Sequence, residues 1–201
     1  MFLEKISIKK LRNIKEADLQ LNVKTNVIIG ENAAGKTSFL EAIDILSRGR
    51  SFRTNKTESL VQAGQDELYV GALAGPSKKK LEIRKGKNKT RVFVDSKEEK
   101  QQSKITENLA IQSIHPGSHA LIEGSPSERR AYLDWGLFHV EQNFKQEWSK
   151  YLKILRQRNE ALKAKDPEEK VWMEQLAPIG LKISNMREDY VVSLQKYFEN
   201  I

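Results

Sequence analysis

Apolar and polar positions alternate in short runs over the first half of the chain and fall at helical spacing over the second. Phe2 to Ile8 alternates, interrupted by Glu4 and Lys5, and Leu19, Leu21 and Val23 repeat the pattern, so two strands are predicted. Val27-Ile28-Ile29 is a continuous apolar run, the pattern of a buried strand. Phe39, Ala42, Ile43 and Leu46 then recur at helical spacing, and this helix is expected to end near Gly49, within Ser47-Arg48-Gly49-Arg50. Leu68–Leu73 reads as a strand, and Leu81–Arg84 with Arg91–Val94 as a hairpin around Gly86-Lys87-Asn88. Leu109–Ile114 is predicted as a further short strand, closed by His115-Pro116-Gly117.

Past this point the pattern is almost wholly helical. Ser125-Pro126-Ser127-Glu128 reads as a capping box with proline at the first helical position. Trp148, Tyr151, Leu152, Leu155 and Leu162 mark one face of a long amphipathic helix. Asp166-Pro167-Glu168 restarts a second, whose stripe runs Trp172, Leu176, Ile179, Ile183, Met186, Tyr190, Leu194 and Tyr197. A short break between two long helices predicts an antiparallel arm, with a kink at Pro178 softened by Gly180. The division read from the sequence is therefore 1–124, an α/β lobe with a mixed sheet and a basic hairpin, and 125–201, a helical lobe.

The junction of the apolar run and the first helix carries the chemistry. Gly30-Glu31-Asn32-Ala33-Ala34-Gly35-Lys36-Thr37-Ser38 has the spacing of a P-loop, between a predicted strand and a predicted helix. Gly30 and Gly35 let the backbone turn tightly and bring N–H groups against phosphate oxygens. Lys36 would reach the β- and γ-phosphates, the Thr37 hydroxyl would ligate Mg²⁺, and the helix would point its positive end at the same anion. The motif thus predicts binding of a nucleoside triphosphate with Mg²⁺ by residues 30–38.

Composition narrows the remaining classes. There is no cysteine, which excludes disulfides, thiolate metal sites and cysteine nucleophiles. No apolar stretch is long enough to span a bilayer, and the start lacks the apolar core of a signal peptide, so a soluble, cytoplasmic protein is expected. The net charge of +8 is local: Lys78–Lys104 holds eleven Lys/Arg against four Asp/Glu, and the rest of the chain 24 against 23. That patch, on the predicted hairpin, suits a phosphate backbone through Lys85, Lys87, Lys89 and Arg91; the alternative is a solvated hairpin guarding a sheet edge. His115, His119 and His139 form no metal-ligand spacing. No apolar strand after Thr37 ends in the acidic pair that phosphoryl transfer uses, and Ile201 falls mid-pattern, so a truncated chain is the expectation.

Leu11-Arg12-Asn13, the P-loop, Leu40-Glu41-Ala42, Gly49-Arg50-Ser51-Phe52-Arg53-Thr54 and Gly124-Ser125-Pro126-Ser127-Glu128-Arg129-Arg130-Ala131-Tyr132-Leu133-Asp134 occur in this order. In that succession the chain resembles the N-terminal part of the bacterial RecF family of recombination mediator ATPases. The resemblance implies an ABC/SMC-type head in which ATP is sandwiched between two subunits of a homodimer that clamps DNA. It implies action at single-strand gaps, on single-stranded and gapped double-stranded DNA, with RecR and RecO to help load RecA. It further implies that Arg12 and Asn13 line the nucleotide pocket. Gln112 is the candidate for the glutamine that senses Mg²⁺ and the attacking water, with a polar strand end as the alternative. The family's signature motif and acidic strand end are expected beyond Ile201, so this chain is expected to bind nucleotide weakly and not to hydrolyse it. A small-molecule P-loop kinase, another SMC-like head and a non-catalytic interaction fragment remain the alternative classes.

Overall fold

The computed structural model describes residues 2–54 and 56–199. Contacts divide the chain into two units, Met1–Ser113 and Ile114–Ile201. The division read from the sequence, after Gly124, falls inside the second of them.

The first unit is a six-stranded sheet with one helix laid on its apolar face. The strands are β1 (Phe2–Leu11), β2 (Ile14–Gln20), β3 (Glu67–Gly75), β4 (Lys79–Gly86), β5 (Thr90–Val94) and β6 (Lys97–Glu99), in the order β2-β1-β3-β4-β5-β6. Alternation decides the register. Ile6 and Ile8, Val70 and Ala72, Leu81 and Ile83, and Val92 are paired across the ladders and buried on one face. The opposite face is polar and neutralises itself: Lys5 pairs with Asp18, Lys9 with Glu16, Lys80 with Glu82 and Arg91 with Glu67. Helix α1 (Lys36–Arg48) completes the core with Phe39, Ala42, Ile45 and Leu46. Gly49 ends it in the left-handed region (φ 70°), its N–H bonding to the Ile45 carbonyl at 2.8 Å, as the Gly49 signal predicts. A short helix α2 (Ser103–Thr106) packs on the C-terminal end of α1, where Thr106 donates to the Ser47 carbonyl at 2.7 Å.

Three sheet expectations are corrected. The sheet is antiparallel throughout rather than mixed. Val27–Ile29 is not a strand: Val27 is 76% and Ile29 88% exposed, and the run has no sheet partner among the described residues. Leu109–Ile114 is likewise irregular, with Leu109 buried and Ile114 exposed. The reason is common to both. An apolar run makes a strand only when a neighbouring backbone completes its hydrogen bonds, and β2 and β6 end this sheet without reaching either run. The second predicted strand is also shifted, since β2 stops at Gln20 before Leu21 and Val23.

The second unit is helical: α3 (Ala120–Glu123), α4 (Pro126–Val140), α5 (Phe144–Ala164) and α6 (Glu169–Phe198). Its core gathers Leu137, Phe144 and Ile183, flanked by Trp148, Tyr151, Ile179, Met186 and Tyr190. Trp148, Tyr151, Ile179, Ile183, Met186 and Tyr190 come from the two predicted stripes, Leu137 and Phe144 from neither, and Leu152, Leu162 and Tyr197 of the stripes are exposed. Helix α6 runs through Pro178 as one element. Pro126 occupies the first turn of α4, but the capping box is not formed: the Ser125 hydroxyl meets the Ser127 hydroxyl, and no side chain caps the helix. Asp134 and Arg187 join α4 to α6 in a two-bond fork at 2.8 and 3.0 Å.

Candidate functional site

Sharp backbone turns build the site around the N-terminus of α1. Ala33 and Gly35 both lie at positive φ (64° and 101°), and the helix starts at Lys36 with Gly35 as its N-cap. Glycine is required at 35 because the left-handed backbone there already strains a side chain, and Asn13 and Ile14 sit 3.4 Å from where a Cβ would stand. The β1–β2 hairpin closes beside the loop through a two-residue turn, Arg12-Asn13, with Leu11 opposite Ile14. Asn13 Nδ2 donates to the Ala33 carbonyl at 2.7 Å, and its Oδ1 accepts from Ser38 Oγ at 3.0 Å. One asparagine thereby ties the hairpin turn to both the loop and the first turn of α1.

These elements enclose a cavity of about 490 Å³ lined by Arg12, Asn13, Asn32, Ala33, Gly35, Lys36, Thr37, Ser38 and Arg53. The volume lies in the range of small-ligand sites. Lys36 Nζ donates to the carbonyls of Gly30 and Glu31, each at 2.7 Å, so its ammonium rests on the loop it belongs to. Ala34 N–H bonds to the Glu31 carbonyl at 3.2 Å and stabilises the turn. Thr37 is exposed at the cavity wall, and its hydroxyl has no protein partner among the described residues. That hydroxyl would be available to hold Mg²⁺ beside a bound phosphate, the anion that the N-terminal end of α1 favours. No carboxylate lines the cavity.

The structure therefore brings Arg12 and Asn13 to one cavity with Asn32, Ala33, Gly35, Lys36, Thr37 and Ser38, and leaves Gly30, Glu31, Ala34 and Gln112 off its lining. Gln112 is exposed on the irregular 109–114 segment and is absent from the cavity lining; its amide makes only a 3.5 Å contact to the Ser113 carbonyl. Two residues went unassigned in the sequence. Arg53 lines the cavity from a loop without periodicity. Glu41 is fully buried and takes both Nε and Nη2 of Arg12, at 2.5 and 2.9 Å, which raises the Arg12 pKa through that hydrogen-bonded pair. The signal for Glu41 was its place with Ser38, Ala42 and Ile45 on one helix face, where a carboxylate needs a partner.

The four cations chosen for DNA have unequal surroundings. Lys87 and Lys89 are exposed in the β4–β5 turn, which the Gly86 N–H closes onto the Lys89 carbonyl at 2.9 Å. Arg91 is engaged by Glu67 at 3.0 and 3.2 Å. Lys85 donates to the Gly49 carbonyl at 2.7 Å, at the C-terminal end of α1, and burial pushes its pKa down. Among the described residues no three His, Asp or Glu side chains are grouped at metal-binding distance. His115 caps a 3₁₀ turn, accepting from Gly117 N–H at 3.1 Å, and His139 packs edge-on against Trp135. No described helix is long and apolar enough to cross a membrane.

An α/β core with a P-loop wrapped on the N-terminus of a buried helix defines a nucleotide-binding domain of the P-loop ATPase class. The chain belongs to the AAA ATPase domain family, whose model matches residues 1–196. Within it, the relatives are RecF proteins. The chain is 38% identical to the DNA replication and repair protein RecF of Hydrogenovibrio crunogenus, over 94% of this chain and 54% of that protein. It is 35% identical to RecF of Vibrio cholerae serotype O1, over 100% of this chain and 58% of the relative. A solved structure of the recombination mediator protein RecF-ATP in the RecFOR pathway superposes with a TM-score of 0.88 at 31% identity, covering 97% of this chain and 55% of that one. The chain thus spans somewhat over half the length of the relatives it matches.

Proposed function

We propose that this chain forms the ATP–Mg²⁺ site and a DNA-facing lobe of a RecF-type recombination mediator. The observation that carries the reading is the cavity of about 490 Å³ in which Arg12, Asn13, Lys36 and Thr37 converge on the N-terminus of α1. Residues 30–38 hold the phosphates: backbone N–H groups and the helix end face the anion, and Lys36 exchanges its two carbonyl partners for phosphate oxygens. Thr37 holds Mg²⁺. Lys87 and Lys89 contact the phosphate backbone of DNA from the hairpin tip, and Lys85 and Arg91 support that tip from behind.

In the whole protein this site serves an ATP-dependent homodimer that clamps single-stranded or gapped double-stranded DNA in the cytoplasm and works with RecR and RecO to load RecA. Gln112 joins the site as the Mg²⁺- and water-sensing glutamine only if its segment moves to the cavity. The similarity to the RecF-ATP structure over nearly the whole chain supports the nucleotide, and the naming of the relatives as replication and repair proteins supports the DNA.

The test is titration of the chain with ATP–Mg²⁺, beside Lys36→Ala. Saturable binding that weakens at least tenfold in the variant is expected, because one charge-assisted contact to phosphate is lost. Equal affinity in both proteins refutes the site.

A further inference from the structure

The apolar stripe of α5 divides in the structure. Trp148 and Tyr151 join the cluster that holds Ile183 of α6, whereas Leu152 and Leu162 stay 43% and 45% exposed and Leu155 is half-buried. Leu152, Leu155, Asn159 and Leu162 are spaced by three, four and three residues, the a/d repeat with which one helix seats another. They run for about 15 Å along the helix. Beside them lies a groove of about 380 Å³ lined by Leu152, Leu155, Arg156, Asn159, Glu160 and Lys163. All six belong to α5, so no other described helix fills the place that the repeat provides.

The flank of this seam is basic. Arg156 and Lys163 each follow an a position by four residues, are exposed, and have no ion-pair partner among the described residues. Arg158, on the other flank, is taken by Glu169 of α6 at 3.5 Å, and Glu160 is the single acid in the groove lining. Asn159 Oδ1 accepts from Arg158 Nη1 at 3.2 Å, while its Nδ2 donates to nothing among the described residues. An asparagine at an a position costs stability unless the facing helix answers it with a polar group, and so it fixes register. A second copy suits this seam poorly. Paired parallel, two copies bring Arg158 against Lys163; paired antiparallel, they bring Arg156 against Lys163. A nucleic acid would match the two cations but press its charged backbone on three leucines.

We infer that the α5 seam docks one amphipathic helix of another protein, with aliphatic residues at its a and d positions, a polar residue facing Asn159, and acidic residues on the flank that meets Arg156 and Lys163. The leucines supply the apolar contact, and the two cations select the partner by charge. The surface lies wholly within the Ile114–Ile201 unit and does not depend on the nucleotide cavity.

The experiment titrates the chain with a labelled heptad peptide carrying leucine at a and d, one central asparagine at a, and glutamate at every e and g, which makes it repel itself. The matched peptide has lysine at every e and g. Saturable binding of the acidic peptide is expected, with the basic one at least tenfold weaker. Leu152→Ser with Leu162→Ser should weaken the acidic peptide about tenfold, and both side chains are exposed enough to leave the core intact, which a thermal melt checks. Arg156→Glu with Lys163→Glu should reverse the preference in favour of the basic peptide. Equal affinity for the two peptides, or no binding of the acidic one, overturns the inference. Acidic-peptide binding that the leucine pair leaves unchanged shows attraction by charge alone and overturns it as well. So does a dimer in sedimentation that Leu152→Ser with Leu162→Ser dissolves, because a second copy then fills the seam. A DNA duplex that displaces the peptide, and itself binds more weakly after the charge reversal, puts nucleic acid there instead and overturns the helix.

Discussion

Asp134→Asn isolates one interaction of the helical unit. The carboxylate accepts from Arg187 Nε at 2.8 Å and Nη2 at 3.0 Å, with the two side chains 17% and 19% exposed. Exposed ion pairs contribute about 0–1 kcal/mol, and breaking a fully buried one costs about 3–5 kcal/mol. This pair lies between those limits, and asparagine keeps one acceptor oxygen, so a loss of about 2 kcal/mol is expected. For a unit of this size that corresponds to a fall in Tm of roughly 8–16 °C. The assay follows from residue placement: Trp135, Trp148 and Trp172 all belong to the Ile114–Ile201 unit, so tryptophan emission reports its melting alone. Arg187 also lies 5.6 Å over the Trp148 ring, which makes the emission sensitive to its release. Adding Arg187→Met should recover part of the loss, because no unpaired charge then remains. A Tm within about 2 °C of the unaltered chain refutes the reasoning and classes the fork with exposed pairs.

Replacing both Lys87 and Lys89 by alanine should weaken DNA binding uniformly across sequences and lower the salt slope by about 2, read from affinities at several salt concentrations. Lys85→Ala should leave that slope unchanged and instead lower stability by about 1 kcal/mol, since it removes a bond to the carbonyl of Gly49, the residue that caps α1. Glu147 has its pKa lowered by hydrogen bonds from Lys182 and Lys150. Its contribution is therefore present above the ordinary 4.5 and disappears as the pH falls through the depressed value; tryptophan-monitored melts of Glu147→Gln should show a flatter acid limb.

Local chemistry was legible in the sequence wherever one short segment decides the outcome. The limits of α1 follow from Gly35 and Gly49, and the β4–β5 hairpin from its turn residues and alternation. The P-loop, with Arg12 and Asn13 supplied by resemblance, marked most of the cavity wall. Features that depend on a distant partner were not legible. Val27–Ile29 and Leu109–Ile114 have the composition of strands, yet neither pairs with a strand among the described residues. Ser125 has the capping sequence, but its hydroxyl finds Ser127 first. Arg53 lines the cavity from a loop whose Ser51 bonds to a buried carboxylate ten residues earlier in the chain, a closure that no periodicity records.

The exposed run Val27-Ile28-Ile29 has a practical consequence. It presents water with large aliphatic side chains on a backbone whose N–H and C=O groups have no sheet partner, the combination that soluble sheet proteins hide or interrupt with charge. Such a run is a template for any extended segment that meets it, including the same run on another copy. The run is thus one place, immediately upstream of the phosphate loop, where association of the chain can start. Light scattering should rise with concentration, and Ile29→Lys should suppress that rise while leaving the sheet core untouched.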